Sequence, residues 1–309
     1  MITKRTLQKH LKLAVSHARA FTDGHVATYI PELAAVDPHH IGVAVQLCDG
    51  TTVVQSDKPD EKFTLQSTSK LVVLIGLLEE VGPEHVYSWV KTEPSGSDFA
   101  SVARLEQFGP KPANPMLNSG AIALCAHIPG HQEEQLSWLE KWVERLFSKR
   151  LRINARVLAS ERRTGDRNRS LAYLLKSFGA FDANVDEVLE TYFSLCSFEA
   201  TIEQAVALPA LLANQGCTPD GRRILSSRTV QQTLAIMATC GLYNESGSHL
   251  LRTGMPAKSG VSGLILAVSP GKAGVATISP RVNERGTSVA GQEMLVSLSE
   301  QFNWHFAPN

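Results

Sequence analysis

The sequence predicts an α+β fold, with one antiparallel sheet built from both ends of the chain, helices flanking it, and a helical middle inserted between the two halves. Three observations carry that prediction. "IGVAVQLCDGTTVVQS" (residues 41–56) is two β-branched runs around Asp49-Gly50, a pair that favours a hairpin turn. "GLILAVSPGKAGVATIS" (263–279) repeats the arrangement far downstream, with Pro270-Gly271 at the turn. Between the two hairpins, apolar side chains recur at the 3.6-residue spacing of helices.

Taken in order, the start "MITKRTLQKHLKLAVSHARAF" is basic and amphipathic, without the apolar stretch and small-residue cleavage site of a secretory leader, and predicts a helix. The first hairpin follows. Helical periodicity then predicts helices over 71–81, 136–147, 170–178, 185–193, 202–214 and 229–239. "GPKPANP" (109–115) and His39-His40 read as surface turns. After the second hairpin, "SVAGQEMLVSLSEQF" returns to a helical pattern, so helices from both termini are expected on the sheet.

Composition narrows the function. The 309 residues, 43% of them hydrophobic, suffice for a large core. Thirty basic and thirty acidic side chains cancel, and no basic block exceeds a pair, which argues against nucleic acid or a membrane surface as partner. The longest apolar stretch, 71–78, is far short of the roughly 20 residues a spanning helix needs. Five widely spaced cysteines without a CxxC pair suit reduced thiols and a cytoplasmic location. No histidine spacing suggests a metal site, and no cofactor is expected.

One stretch carries chemistry. In "FTLQSTSKLVVLIGLLEEVG" (63–82), Ser67 and Lys70 are three residues apart at the mouth of an uncharged apolar run. On a helix such a pair shares a face, with Cβ atoms about 5–6 Å apart. A serine in the first turn meets unpaired N–H groups and the positive end of the helix dipole. A lysine leading into apolar sequence loses hydration, which favours the neutral amine able to take a serine proton. A helix cap and a snorkelling lysine would give the same spacing. Ser269 and Lys272 in "SPGK" repeat it around a Pro-Gly that cannot form a helical turn. Further on, Lys258-Ser259-Gly260 in "AKSGVSG" resembles the K-T/S-G strand motif that accompanies S-x-x-K in penicillin-recognising serine enzymes. There the N–H of Val261 could join that of Ser67 in holding an oxyanion.

Ten segments in order resemble the serine-dependent glutaminase family of the β-lactamase-like superfamily: "YIPELA", "LQSTSK", "EPSG", "NPMLNSGAI", "SERRTGDRNRSLAYLLKSFG", "YFSLCS", "LANQGCTP", "TCGLYNESG", "GMPAKSGVSGLILAVSPG" and "SVAG". The resemblance runs from about Tyr29 to the end. It implies a β-lactamase-like fold in a single domain, 1–309, with an α/β part of 1–66 plus 248–309 and a helical part of 67–247. It implies Ser67 as nucleophile and Lys70 as base; departing ammonia needs a proton, and Tyr243 or Tyr29, in a network with Lys70, is the expected donor. Asn118, Glu161, Asn168, Tyr192, Tyr243 and, through its backbone, Val261 would surround L-glutamine, with Lys258, Ser259 and Gly260 in support. A homo-oligomer, dimer or tetramer, is implied on the same ground. Thr68, Thr287 and the end of "EPSGSDFAS" depart from the family pattern.

The residue types fit that substrate. Free glutamine carries an ammonium and a carboxylate, and Glu161 in "SERRTGDRN" is an anionic partner for the first. The amides and tyrosine hydroxyls can bond the second. Taken alone, Glu161 reads equally as a charge in a surface loop, the asparagines as turn residues and the tyrosines as half-buried core rings. Two rival functions share the Ser-Lys pair: a penicillin-recognising hydrolase with Glu161 as deacylation base, and a glutamine-binding protein without turnover.

Overall fold

The computed structural model describes residues 2–96, 100–109 and 111–307. Residues 97–99 of "EPSGSDFAS" and Pro110 of "GPKPANP" lie outside them. The strands are β1 (Gly42–Leu47), β2 (Thr52–Ser56), β3 (Phe63–Thr64), β4 (Arg152–Ile153), β5 (Phe198–Ala200), β6 (Ala257–Ser259), β7 (Leu264–Ser269) and β8 (Ala273–Ile278). Both predicted hairpins form, β1 with β2 and β7 with β8. They join through an antiparallel β1–β8 pairing into one sheet of order β2-β1-β8-β7-β6, so both chain ends contribute as the sequence predicts.

Alternation along these strands feeds two cores. Val43, Val45, Ile265, Ala267 and Val275 face a layer built by the helices Lys4–Ala18 and Val289–Phe302. Ala44, Leu264, Leu266, Val268, Ala276 and Ile278 face the larger helical core. With both faces covered, β7 and β8 are buried throughout, which is why they read as continuous apolar runs. The helix Ala207–Ala213 presses onto β8 so closely that a Cβ on Gly274 would lie 2.0 Å from the Ala210 amide nitrogen.

The predicted middle helices are present, with one split: 202–214 is two helices, Ile202–Ala205 and Ala207–Ala213. Lys70–Glu80 is central. Residues Lys70 through Leu78 are buried, packed among the helices Asn118–Cys125, Gln132–Phe147 and Ser227–Cys240. A helix apolar on every side has no solvent face to present.

Three readings need correction. "GPKPANP" leads into a buried segment: Asn114 is 2% exposed, its Oδ1 accepting from the Met116 and Leu117 amides and its Nδ2 donating to Glu93 O. His40 is buried too, near Ser56 Oγ. The run "SERRTGDRN" is largely helical: Glu161 belongs to the helix Ala155–Thr164. Besides Glu161, only Val157 and Ser160 of that helix are buried, so an apolar stripe is missing from its sequence.

A second, three-stranded sheet of order β3-β5-β4 also goes beyond the sequence reading. Its strands span two or three residues, too few for a periodic signal. It has a positional role: β3 precedes Ser67, β4 precedes the helix carrying Glu161, and β5 follows the helix Val185–Cys196 carrying Tyr192.

Candidate active site

Ser67 lies in a single 3₁₀ turn, Gln66–Ser69, that runs directly into the helix Lys70–Glu80. The turn is tighter than the α-helical start expected from sequence. Gln66 enters it with φ of 47°, a left-handed conformation that a non-glycine residue holds only when its surroundings impose it. They do so through hydrogen bonds. Thr68 Oγ1 donates to Leu65 O and Ser69 Oγ to Gln66 O, both at 2.7 Å, while Gln66 Nε2 donates to Thr64 Oγ1. The serine is therefore presented on a rigid corner.

Lys70 is wholly buried. Its Nζ donates to Asn118 Oδ1 at 2.7 Å and to Met116 O at 3.1 Å. Burial pulls its pKa down to about 8. A neutral amine has two N–H bonds and a lone pair, and these two acceptors take both N–H bonds. The lone pair is left as a proton acceptor.

On the sheet side, β6 ends at the turn that carries Ser67. A Cβ on Gly260 would lie 2.9 Å from Leu65 O and 3.3 Å from Thr68 Cγ2, so only glycine permits this approach. Among the described residues, neither the Ser67 nor the Val261 amide donates a backbone hydrogen bond. Such free, fixed N–H groups are what an oxyanion needs. Lys258 is also wholly buried, donating to Ser259 O at 2.7 Å, with its pKa lowered by burial and by Lys70. Tyr243 holds a φ of 53°, and its ring centroid lies 4.3 Å from Lys258 Nζ and 5.8 Å from Lys70 Nζ. Ser259 Oγ is buried and has no hydrogen-bond partner among the described residues.

A cavity of about 320 Å³ opens in front of Ser67. Of the residues singled out from sequence, Tyr29, Ser67, Asn118, Glu161, Asn168, Tyr192 and Val261 line it. Lys70, Tyr243, Lys258, Ser259 and Gly260 do not. Glu161 is 5% exposed, and its carboxylate accepts from Tyr29 Oη at 2.8 Å and from the Gln66 amide. Burial raises its pKa, and no lysine or arginine pairs with it among the described residues. Tyr29 shows 46% of its surface, yet its hydroxyl turns inward to Gln66 Oε1 and Glu161, and burial of that end pushes its pKa up. Asn118 Nδ2 donates to Asn168 Oδ1 at 3.0 Å, leaving the Asn168 N–H groups for a ligand.

Six lining residues escaped the sequence reading: Gln66, Ala100, Thr164, Gly165, Arg167 and Cys196. All six lie in segments already quoted, but nothing in their residue type marks them. The Cys196 thiol is pushed up to about 12 by burial, so it stays neutral beside the Tyr192 hydroxyl. Arg167 Nε is held by Ala100 O.

A sheet from both chain ends, a Ser-x-x-Lys turn at the head of a buried helix, and a Lys-Ser-Gly strand closing on that turn together define the β-lactamase-like fold class. Comparison with known proteins narrows the class. The family model Glutaminase matches residues 24–306. A glutaminase of Legionella pneumophila is 57% identical over 298 residues, covering 96% of each chain, and one of Clostridium tetani is 39% identical over 308 residues, covering 96% of this chain and 98% of the relative. Among solved structures, a probable glutaminase superposes with a TM-score of 0.90 at 36% identity, covering 96% of this chain and 97% of that one. A probable glutaminase from Bacillus subtilis, complexed with 6-diazo-5-oxo-L-norleucine, superposes with a TM-score of 0.87 at 32% identity over 98% and 96% of the two chains. The chain belongs to the glutaminase family.

Proposed function

We propose that this protein hydrolyses the side-chain amide of L-glutamine to L-glutamate and ammonia through a glutamyl-enzyme on Ser67. The observation that carries this reading is a buried carboxylate, Glu161, without a cationic partner, in the same cavity as Ser67. A ligand bearing an ammonium group would supply the missing charge, and free glutamine bears one beside its α-carboxylate. Asn168 and Tyr192 line the same cavity, and their amide and hydroxyl would bond the remaining polar groups.

In the first half-reaction the Lys70 lone pair takes the Ser67 proton as Oγ attacks the carboxamide carbon, and the Ser67 and Val261 amides receive the oxyanion. Collapse of the tetrahedral intermediate breaks the C–N bond. The nitrogen leaves as ammonia after gaining a proton delivered from Lys70 through Tyr243 or Tyr29. Water then attacks the glutamyl ester, Lys70 again takes the proton, and glutamate departs with Ser67 restored. Lys258 holds the strand end that carries Val261.

No described helix is long and apolar enough to cross a membrane. We place the protein in the cytoplasm, as a homo-oligomer, with 1–66 plus 248–309 and 67–247 as two parts of one domain meeting at the site. An ammonia-release assay on L-glutamine, L-asparagine and γ-glutamyl peptides, with Ser67→Ala as control, tests the function. Turnover of L-glutamine lost in the variant supports it, and release retained in the variant overturns it.

A further inference from the structure

Behind Glu161 lies a second carboxylate. The short helix Pro31–Ala34 packs against Ala155–Thr164, with Ile30 and Leu33 clustered around Val157, one turn before Glu161 on the same helix. Val261 packs against the same three side chains, and Tyr29, just ahead of the short helix, bonds Glu161 directly. Glu32 therefore belongs to the wall that holds the ammonium partner.

Glu32 is not a surface charge. Its side chain is 17% exposed, and its Oε2 is buried without a hydrogen-bond partner among the described residues. The nearest cation is Arg156, whose Nε stands 4.0 Å from Oε1 and whose side chain is 87% exposed. A pair that open to water is screened and offsets little of the charge on Glu32, which also borders a second cavity lined by Lys62, Glu61 and Glu199. The other ionisable groups turned toward Glu161, namely Tyr29, Tyr192 and Cys196, are acids kept neutral by burial. Consistent with proximity, the Glu32 charge adds to burial in raising the Glu161 pKa.

We propose that Glu32 is a specificity-determining residue: a second negative charge behind Glu161 that favours substrates carrying a free α-ammonium over otherwise identical molecules lacking it. The proposal rests on Glu161 receiving that ammonium. A residue acting through the field discriminates by charge, whereas a packing residue changes all ligands alike.

The test compares the wild type, Glu32→Gln and Glu161→Gln. For each, KM and kcat on L-glutamine are measured with the inhibition constants of L-glutamate and of glutarate, the same dicarboxylate without its amine. For Glu32→Gln the KM for L-glutamine and the inhibition constant of L-glutamate should rise about fivefold, with kcat within about twofold. Glutarate should bind as well as before or better, since a repelling charge has gone. Equal weakening of L-glutamate and glutarate, or no change in either, overturns the proposal. Glu161→Gln separates the two layers. If it leaves L-glutamate binding intact, the assignment of Glu161 fails; if it weakens L-glutamate while Glu32→Gln does not, only the role of Glu32 fails.

Discussion

Lys70 is the group whose titration should be visible in the kinetics. An ordinary lysine titrates near 10.5, and burial brings this one to about 8. At pH 7 about one Lys70 in ten is then neutral, against about one in three thousand for the ordinary side chain, a gain of about 300-fold in competent base. The predicted kcat for L-glutamine climbs nearly tenfold per pH unit from pH 6 and levels off near pH 8. Ammonia release at saturating substrate, in buffers of constant ionic strength, measures it. The same shift has a cost in stability. Between pH 8 and 10.5 the unfolded chain binds more protons at this site than the folded one, so its penalty is largest below pH 8 and fades as pH rises to 10.5. That penalty amounts to about 3 kcal/mol at pH 7. Lys70→Met removes it while losing two hydrogen bonds worth about 1 kcal/mol each, so the inactive variant should be about 1 kcal/mol more stable at neutral pH. The advantage should vanish near about pH 9 and reverse by about pH 10. A kcat independent of pH between 6 and 8, or a variant less stable than wild type at pH 7, would refute the reasoning.

Asn118→Asp places a carboxylate on Lys70 Nζ, which raises the lysine pKa; the rising limb of kcat should move to higher pH and activity at pH 7 should drop at least tenfold. Gly260→Ala forces a methyl group to within 2.9 Å of Leu65 O, so the strand end must retreat from the nucleophile turn. The expected result is loss of kcat with a stability cost of about 1–3 kcal/mol by denaturant titration. Gly274→Ala drives a Cβ into the Ala210 backbone at 2.0 Å, far from Ser67, and should lower soluble yield and melting temperature rather than alter KM.

Much of this architecture is legible in the sequence because both hairpins have strong turn chemistry and β7 and β8 are buried on both faces. The Ser67–Lys70 pair was legible for a related reason: a lone lysine before eight uncharged residues, 71–78, has few explanations. Glu161 was harder. Its helix buries a single apolar side chain, Val157, so its polar run reads as a loop and only the ordered family segments singled it out. Strands of two residues, the burial of His40 and of Asn114, and the positive φ of Gln66 arise from tertiary contacts that no local pattern encodes. Glu32 has no sequence signal at all; it stands out only because its buried Oε2 lacks a partner beside Glu161.

The most direct measurement is to mix the enzyme with L-glutamine, quench in acid within the first turnovers and read the intact and peptide masses. A glutamyl adduct on the peptide containing Ser67, absent from Ser67→Ala together with ammonia release, is the predicted result. Ammonia release by Ser67→Ala at a rate near that of the wild type, or an adduct on another residue, would contradict a serine-bound intermediate.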